Sequence, residues 1–237
     1  MLYIISSLLM SFLDAKKALA ISYFTGQVIL DVLISICALY FCLKEDGINK
    51  LSSFFLSIAY ICAAISDGIY NAQINLLNIS YTHVNDGLFD MPFIFFLFFS
   101  FAGLLMPVIY DFSQDRKHKI HISGIVNFLI ILAIFSSILV CFFLLPWKID
   151  YTSLIGVYQI LDTIFEALIF CLALNMIIRA RSLYLYYISI GYCLIVLSDI
   201  VIRSNVIQGV FIRNSFFECV WVVGLFFILI AMSKKKV

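Results

Sequence analysis

Leu56–Tyr70, LSIAYICAAISDGIY, is an apolar stretch of helical length with one acid, Asp67, two turns after Tyr60. The pattern returns 132 residues on, as Ile188–Ile202, ISIGYCLIVLSDIVI. In that register Ser57, Ile58, Tyr60, Ser66 and Asp67 meet Ser189, Ile190, Tyr192, Ser198 and Asp199. A carboxylate inside an apolar helix is costly in lipid and must face a bundle or a cavity. Here it occurs twice in the same local setting.

The rest of the chain puts these stretches in a membrane. Of its 237 residues 64% are hydrophobic and 12% charged, with a mean hydropathy of +1.11, against about 45–50% and about 25% in soluble domains. Net charge is +1, and no basic face argues for nucleic acid. The seven Cys and three His show no ligand spacing, and no Gly-rich phosphate loop, GxSxG or HExxH occurs, so neither a cofactor nor a metal is expected. Asn78-Ile79-Ser80 fits a glycosylation acceptor, a short and common pattern.

A spanning helix needs about 20 mostly apolar residues. The runs predict seven: 20–43, 51–74, 88–110, 121–145, 152–178, 183–206 and 215–233. Residues 1–13 read as a short embedded or interfacial segment, or as an eighth span. Pro92 is expected in the first turn of the third helix, where proline is best tolerated, and Pro107 near its end. Ten Lys and Arg fall in one set of loops and the tail: 44, 50, 116, 117, 119, 179, 181 and 234–236. Five fall in the other: Lys16, Lys17, Lys148, Arg203 and Arg213. The asymmetry places the C-terminus in the cytoplasm, with the Lys234–Lys236 run setting topology and touching anionic lipid.

The repeat extends further. Ile29-Leu30-Asp31 matches Ile160-Leu161-Asp162, and Phe89–Phe93 matches Phe217–Trp221. The expectation is a single all-α membrane domain over 1–237. A first repeat (20–110) and a second (152–233) share orientation around the helix at 121–145, as parallel repeats of three to four helices.

Seven of the fourteen acids fall within or at the edge of spans: Asp31, Asp67, Asp90, Asp162, Glu166, Asp199 and Glu218. Asp67, Asp90, Asp199 and Glu218 are expected at one outer depth, with Tyr60, Tyr192, Phe93 and Trp221 on their faces. That set reads as an outward-facing pocket for a cationic or polar ligand. The competing reading is an internal polar network that fixes helix register, with Asp199 paired to Arg203, four residues on. Asp162 and Glu166, also four apart, form an intramembrane acid pair suited to a proton relay or to simple protonation.

Leu197–Asp199 followed by Phe216–Met232 (FFECVWVVGLFFILIAM) resembles bacterial multi-helix membrane sensor regions that precede GGDEF, EAL or histidine kinase domains. In them an Asp after a small residue is followed by a loop, then by an acid with Trp three residues on and a Gly-containing helix. Here these are Asp199, Glu218, Trp221 and Gly224; the first copy has Asp67, Asp90 and Phe93 and departs at the Trp. The resemblance implies an inner-membrane sensor or ligand-binding module. With no output domain after Val237, its expected partner is a separate cytoplasmic signalling protein besides the bilayer. A weaker resemblance, to lysoplasmalogenase-like membrane hydrolases, implies acid–base work by Asp67 and Asp199 on a lipid headgroup. A small transporter using Asp162 and Glu166 is the third reading.

Overall fold

A computed structural model describes residues 15–72, 86–115, 132, 154–179, 182–207 and 216–235. Six helices carry the described fold: α1 (Ala15–Lys44), α2 (Gly47–Asn71), α3 (Asp86–Asp115), α4 (Leu154–Arg179), α5 (Leu183–Ile207) and α6 (Phe216–Lys234). The expected span at 121–145 and the segment 1–13 lie outside the described residues, apart from helical Leu132. Five helices contain stretches long and apolar enough to cross a membrane: Thr25–Lys44, Gly47–Tyr70, Met91–Ile109, Val157–Ile178 and Leu183–Ile202. The apolar run of α6, Cys219–Lys234, is shorter.

Polarity is distributed as a bilayer requires. Ile29, Val32, Leu33, Ile36, Leu39 and Leu43 lie exposed along one side of α1, while Gln27, Asp31 and Ser35 are buried on the other. Likewise Ser52, Ser53, Ser57, Ser66 and Asp67 of α2 turn inward and Phe54, Ile61 and Ile65 outward. Polar groups inside and large hydrophobes outside invert the soluble pattern. The chain forms a helical membrane bundle.

Among the described helices, packing runs α1–α2–α3–α4–α5–α6 and returns from α6 to α1, a ring of the six. Gly47, at φ 61, turns the chain between α1 and α2, and its left-handed conformation suits a residue without Cβ. The two helices then exchange serine bonds. Ser35 Oγ donates to the Ser57 carbonyl at 3.0 Å, and Ser57 Oγ to that of Ser35 at 3.2 Å. Between α5 and α6 the backbones themselves touch. A Cβ on Gly191 would stand 2.7 Å from the Gly224 carbonyl oxygen, and one on Gly224 would stand 2.8 Å from that of Gly191. Small residues at such crossings let dispersion act over whole helix surfaces.

Both prolines sit deeper in α3 than the sequence suggests, because the helix begins at Asp86 and runs on to Asp115. Pro92 is in the second turn. Pro107 has no N–H for the carbonyl four residues back, which is Gly103. That carbonyl accepts instead from Ser52 Oγ of α2, at 2.8 Å. A neighbouring helix thus satisfies the freed oxygen, as spanning helices require. Ser52→Ala should leave it unbonded and cost about 1–3 kcal/mol. Thermal unfolding in detergent would show this as a lower midpoint, and an unchanged midpoint would mean the bond contributes nothing.

Candidate functional site

The acids meet in the half of the ring away from the α1–α2 turn. Asp67 (α2) and Asp31 (α1) face each other within side-chain hydrogen-bonding reach, and Gln27, one turn before Asp31, also reaches Asp67. Asp199 of α5 stands within electrostatic range of Asp67. Asp31 is 1% exposed and Asp67 9%. The side chains converge because each continues an inward stripe at helical spacing: Gln27, Asp31, Ser35 on α1; Ser53, Ser57, Tyr60, Asp67 on α2.

Toward the middle of the bundle the aromatics take over. Tyr60 and Tyr192, 0% and 1% exposed, bring their rings to 6.4 Å. The Tyr192 hydroxyl donates to Ser100 Oγ of α3 at 3.0 Å. The Tyr60 hydroxyl faces that of Tyr192 without completing a hydrogen bond of normal geometry, and Asp31 lies within electrostatic range of both phenols. Trp221 of α6 is buried against Phe93 of α3 at 6.2 Å, and Phe96 packs edge-on to Tyr60 at 5.6 Å. Among the described residues, no partner meets Asp31 Oδ2, the Tyr60 hydroxyl or Trp221 Nε1. Nearly all buried polar groups are hydrogen-bonded, so each exception calls for a reason.

The expected site residues therefore divide. Asp199 lies within electrostatic range of Asp67, Tyr60 lies beside Tyr192, and Phe93 and Trp221 meet. Asp90, Glu218 and Arg203 occupy helical positions, but their side chains lie outside the described residues. Asp162 and Glu166 are both buried on α4, at 6% and 2% exposure. Asp31 and Gln27 are the additions: alignment pairs Asp31 with Asp162, whereas the fold sets it against Asp67. The cue in the sequence is the stripe Gln27-Asp31-Ser35, three polar residues four apart within the otherwise apolar run 26–43. Among the described residues, no group of His, Cys, Asp and Glu has a metal-holding arrangement.

A second polar cluster occupies the opposite end, about 20 Å from Asp31 along α1. There Lys235, just past α6, pairs with Glu45 at 2.8 Å, their side chains 7% and 6% exposed. Ser53 Oγ donates to the same Glu45 oxygen at 2.7 Å, and the Lys235 ammonium also bonds Ser53 Oγ. The ammonium lies 4.9 Å from the Tyr184 ring centroid and 5.4 Å from that of Phe41. The expectation of a tail wholly at the lipid surface fails at this residue. The buried stripe of α6, through Trp221, Leu225, Ile228 and Met232, carries Lys235 inward while Lys234 stays exposed.

Burial draws the Lys235 proton affinity below the ordinary lysine value of 10.5, while Glu45, by hydrogen bond and charge, pulls it back up. With the folded value below the unfolded one, the unfolded chain binds more protons between the two. The stability that depends on Lys235 should therefore rise as pH climbs toward 10.5. The groups facing it are Glu45 and Cys42 of the α1 end, Ser53 of α2 and Tyr184 of α5. Thermal unfolding of wild type and Lys235→Met across that range measures the difference; a difference that falls with pH contradicts the sign.

Comparison with protein-family models, with curated proteins and with solved structures returns no match for this chain.

Proposed function

We propose that the protein is an integral membrane binding module of the sensor type, and that its ligand is a cation, from a proton to a small organic ammonium. Asp31, Asp67 and Asp199 receive the charge, and Tyr60, Tyr192 and Trp221 wall the centre. The observation that carries this reading is the enclosed Asp31 carboxyl, whose Oδ2 meets no described partner while the equally open Tyr60 hydroxyl lies in its range. An acceptor and a hydroxyl held in apolar surroundings with spare hydrogen-bonding capacity attract a charged donor strongly, because little solvent screens them.

In this proposal the centre opens outward, with Asp90 and Glu218 at its mouth, and the C-terminus faces the cytoplasm of the inner membrane. There a separate signalling protein reads the state of the bundle. The bundle consists of two parallel repeats with seven spans, or eight with residues 1–13. Supporting the repeat, equivalent residues pair across the ring: Tyr60 with Tyr192, Phe93 with Trp221, and Asp67 with Asp199. The sequence of helix contacts is also the same in each half.

The test is a thermal-shift series in detergent with tetramethylammonium, choline and guanidinium against sodium, together with a pH series. The reading expects at least one cation or proton-dependent shift in wild type, and loss of that shift in Asp67→Asn with Asp199→Asn. A double variant that responds like wild type overturns it. Headgroup hydrolysis or cation transport by the reconstituted protein would instead favour the hydrolase or transporter reading.

A further inference from the structure

We propose that Phe41, Glu45, Ser53 and Tyr184 form a binding site for a primary ammonium, which the chain fills with its own Lys235. The site is drawn from three helical elements: the end of α1 with Glu45 just beyond it, the first third of α2, and the start of α5. Its parts divide the work of recognition. The Glu45 carboxylate and Ser53 Oγ take N–H donors. The Tyr184 and Phe41 rings cover the cation at 4.9 and 5.4 Å. Aromatic faces with a carboxylate hold ammonium ions generally. Here the two oxygen partners select N–H donors and so a primary amine over a quaternary one.

The site binds a tethered ligand. Glu45 and Lys235 are 190 residues apart, and their contact ties the end of α6 to the α1–α2 turn. It joins α6 to α1, where the ring of described helices returns on itself. A competing primary ammonium would free the end of α6, so the site is a latch that a free amine or an ethanolamine headgroup can open. Truncating one side of such a pair leaves a buried charge alone. Glu45 is therefore the residue on which occupancy depends.

Two measurements test the proposal on the full chain. In native detergent, acetylation of Lys235 by an amine-reactive reagent, read by mass spectrometry, should run about tenfold slower than that of Lys234. The protection should vanish in Glu45→Gln. Equal rates in wild type overturn the occupancy. In Lys235→Ala, propylammonium should raise the thermal midpoint by roughly 2–4 °C over sodium at equal ionic strength, whereas tetramethylammonium should not. The rescue should be absent from Lys235→Ala with Glu45→Gln. If propylammonium fails to rescue although Lys235 is protected in wild type, Lys235 is a fixed structural contact and the ligand-site proposal is wrong. Nanodiscs of phosphatidylethanolamine against phosphatidylcholine, each with and without propylammonium, separate the two amine sources: faster Lys235 acetylation in phosphatidylethanolamine identifies the headgroup as competitor, and acceleration by propylammonium alone identifies the free amine.

Discussion

Gly191→Ala should lower stability by about 1–3 kcal/mol, the range for forcing atoms into a packed interior. The added Cβ would meet Ile228 Cγ1 at 2.5 Å and the Gly224 carbonyl oxygen at 2.7 Å. Ile228 can turn aside, but a helix carbonyl cannot, so α5 and α6 must separate. Their separation disturbs Tyr192 and Trp221, which those helices carry into the centre. Gly224→Ala meets the reciprocal obstacle, the Gly191 carbonyl oxygen at 2.8 Å, and should cost a similar amount. Gly68→Ala is the control. Nothing lies within 4 Å of a Cβ there, and alanine in a helix gains up to about 1 kcal/mol over glycine. Thermal unfolding in micelles should place Gly191→Ala and Gly224→Ala below wild type and Gly68→Ala level with it or above. The reverse order would mean that the glycine crossing is not a tight contact.

Asp31→Asn should abolish cation-dependent stabilisation while leaving the fold within about 1 kcal/mol of wild type. The amide matches the carboxyl in shape and can still bond Asp67, so the register of α1 on α2 is kept. What is lost is the site for a charge. Asp31→Leu removes hydrogen bonding as well and strands the polar groups facing it, at about 1–3 kcal/mol. A purely structural network separates from a binding centre on this pair of variants. A network loses stability with Leu and shows nothing to lose with Asn; a binding centre loses its cation response with both. Equilibrium unfolding with and without the stabilising cation, on all three proteins, gives the comparison.

The sequence made the architecture legible because lipid imposes a simple rule. Long apolar runs must be helices, and the few polar residues in them must turn inward, so Asp67, Tyr60, Tyr192 and Trp221 could be assigned to the interior from spacing alone. Contacts between helices were less accessible. The match of Ile29-Leu30-Asp31 with Ile160-Leu161-Asp162 is a likeness of sequence and carries no information about contact. The meeting of Asp31 and Asp67 depends on the depth and rotation of α1 against α2, which the Ser35–Ser57 bonds set. Lys235 was obscured for another reason: counting charges treats Lys234, Lys235 and Lys236 as equals, whereas helical rotation distinguishes them. The 3–4 residue stripe Trp221, Leu225, Ile228, Met232, Lys235 was present in the sequence and would have singled it out. Pro107 is similar. A proline reads as a helix end, but the Ser52 hydroxyl on another helix lets α3 continue.

The central claim is that Asp31 and Asp67 form a charge-accepting centre enclosed in the bundle. Its most direct test is the site of reaction with a hydrophobic carbodiimide, which adds to protonated carboxyls in apolar surroundings, mapped by peptide mass spectrometry on the protein in membranes. The account predicts addition at Asp31 or Asp67, suppressed by the stabilising cation and absent from Asp31→Asn with Asp67→Asn. Addition confined to Asp162 and Glu166, or none at any intramembrane acid, would contradict it.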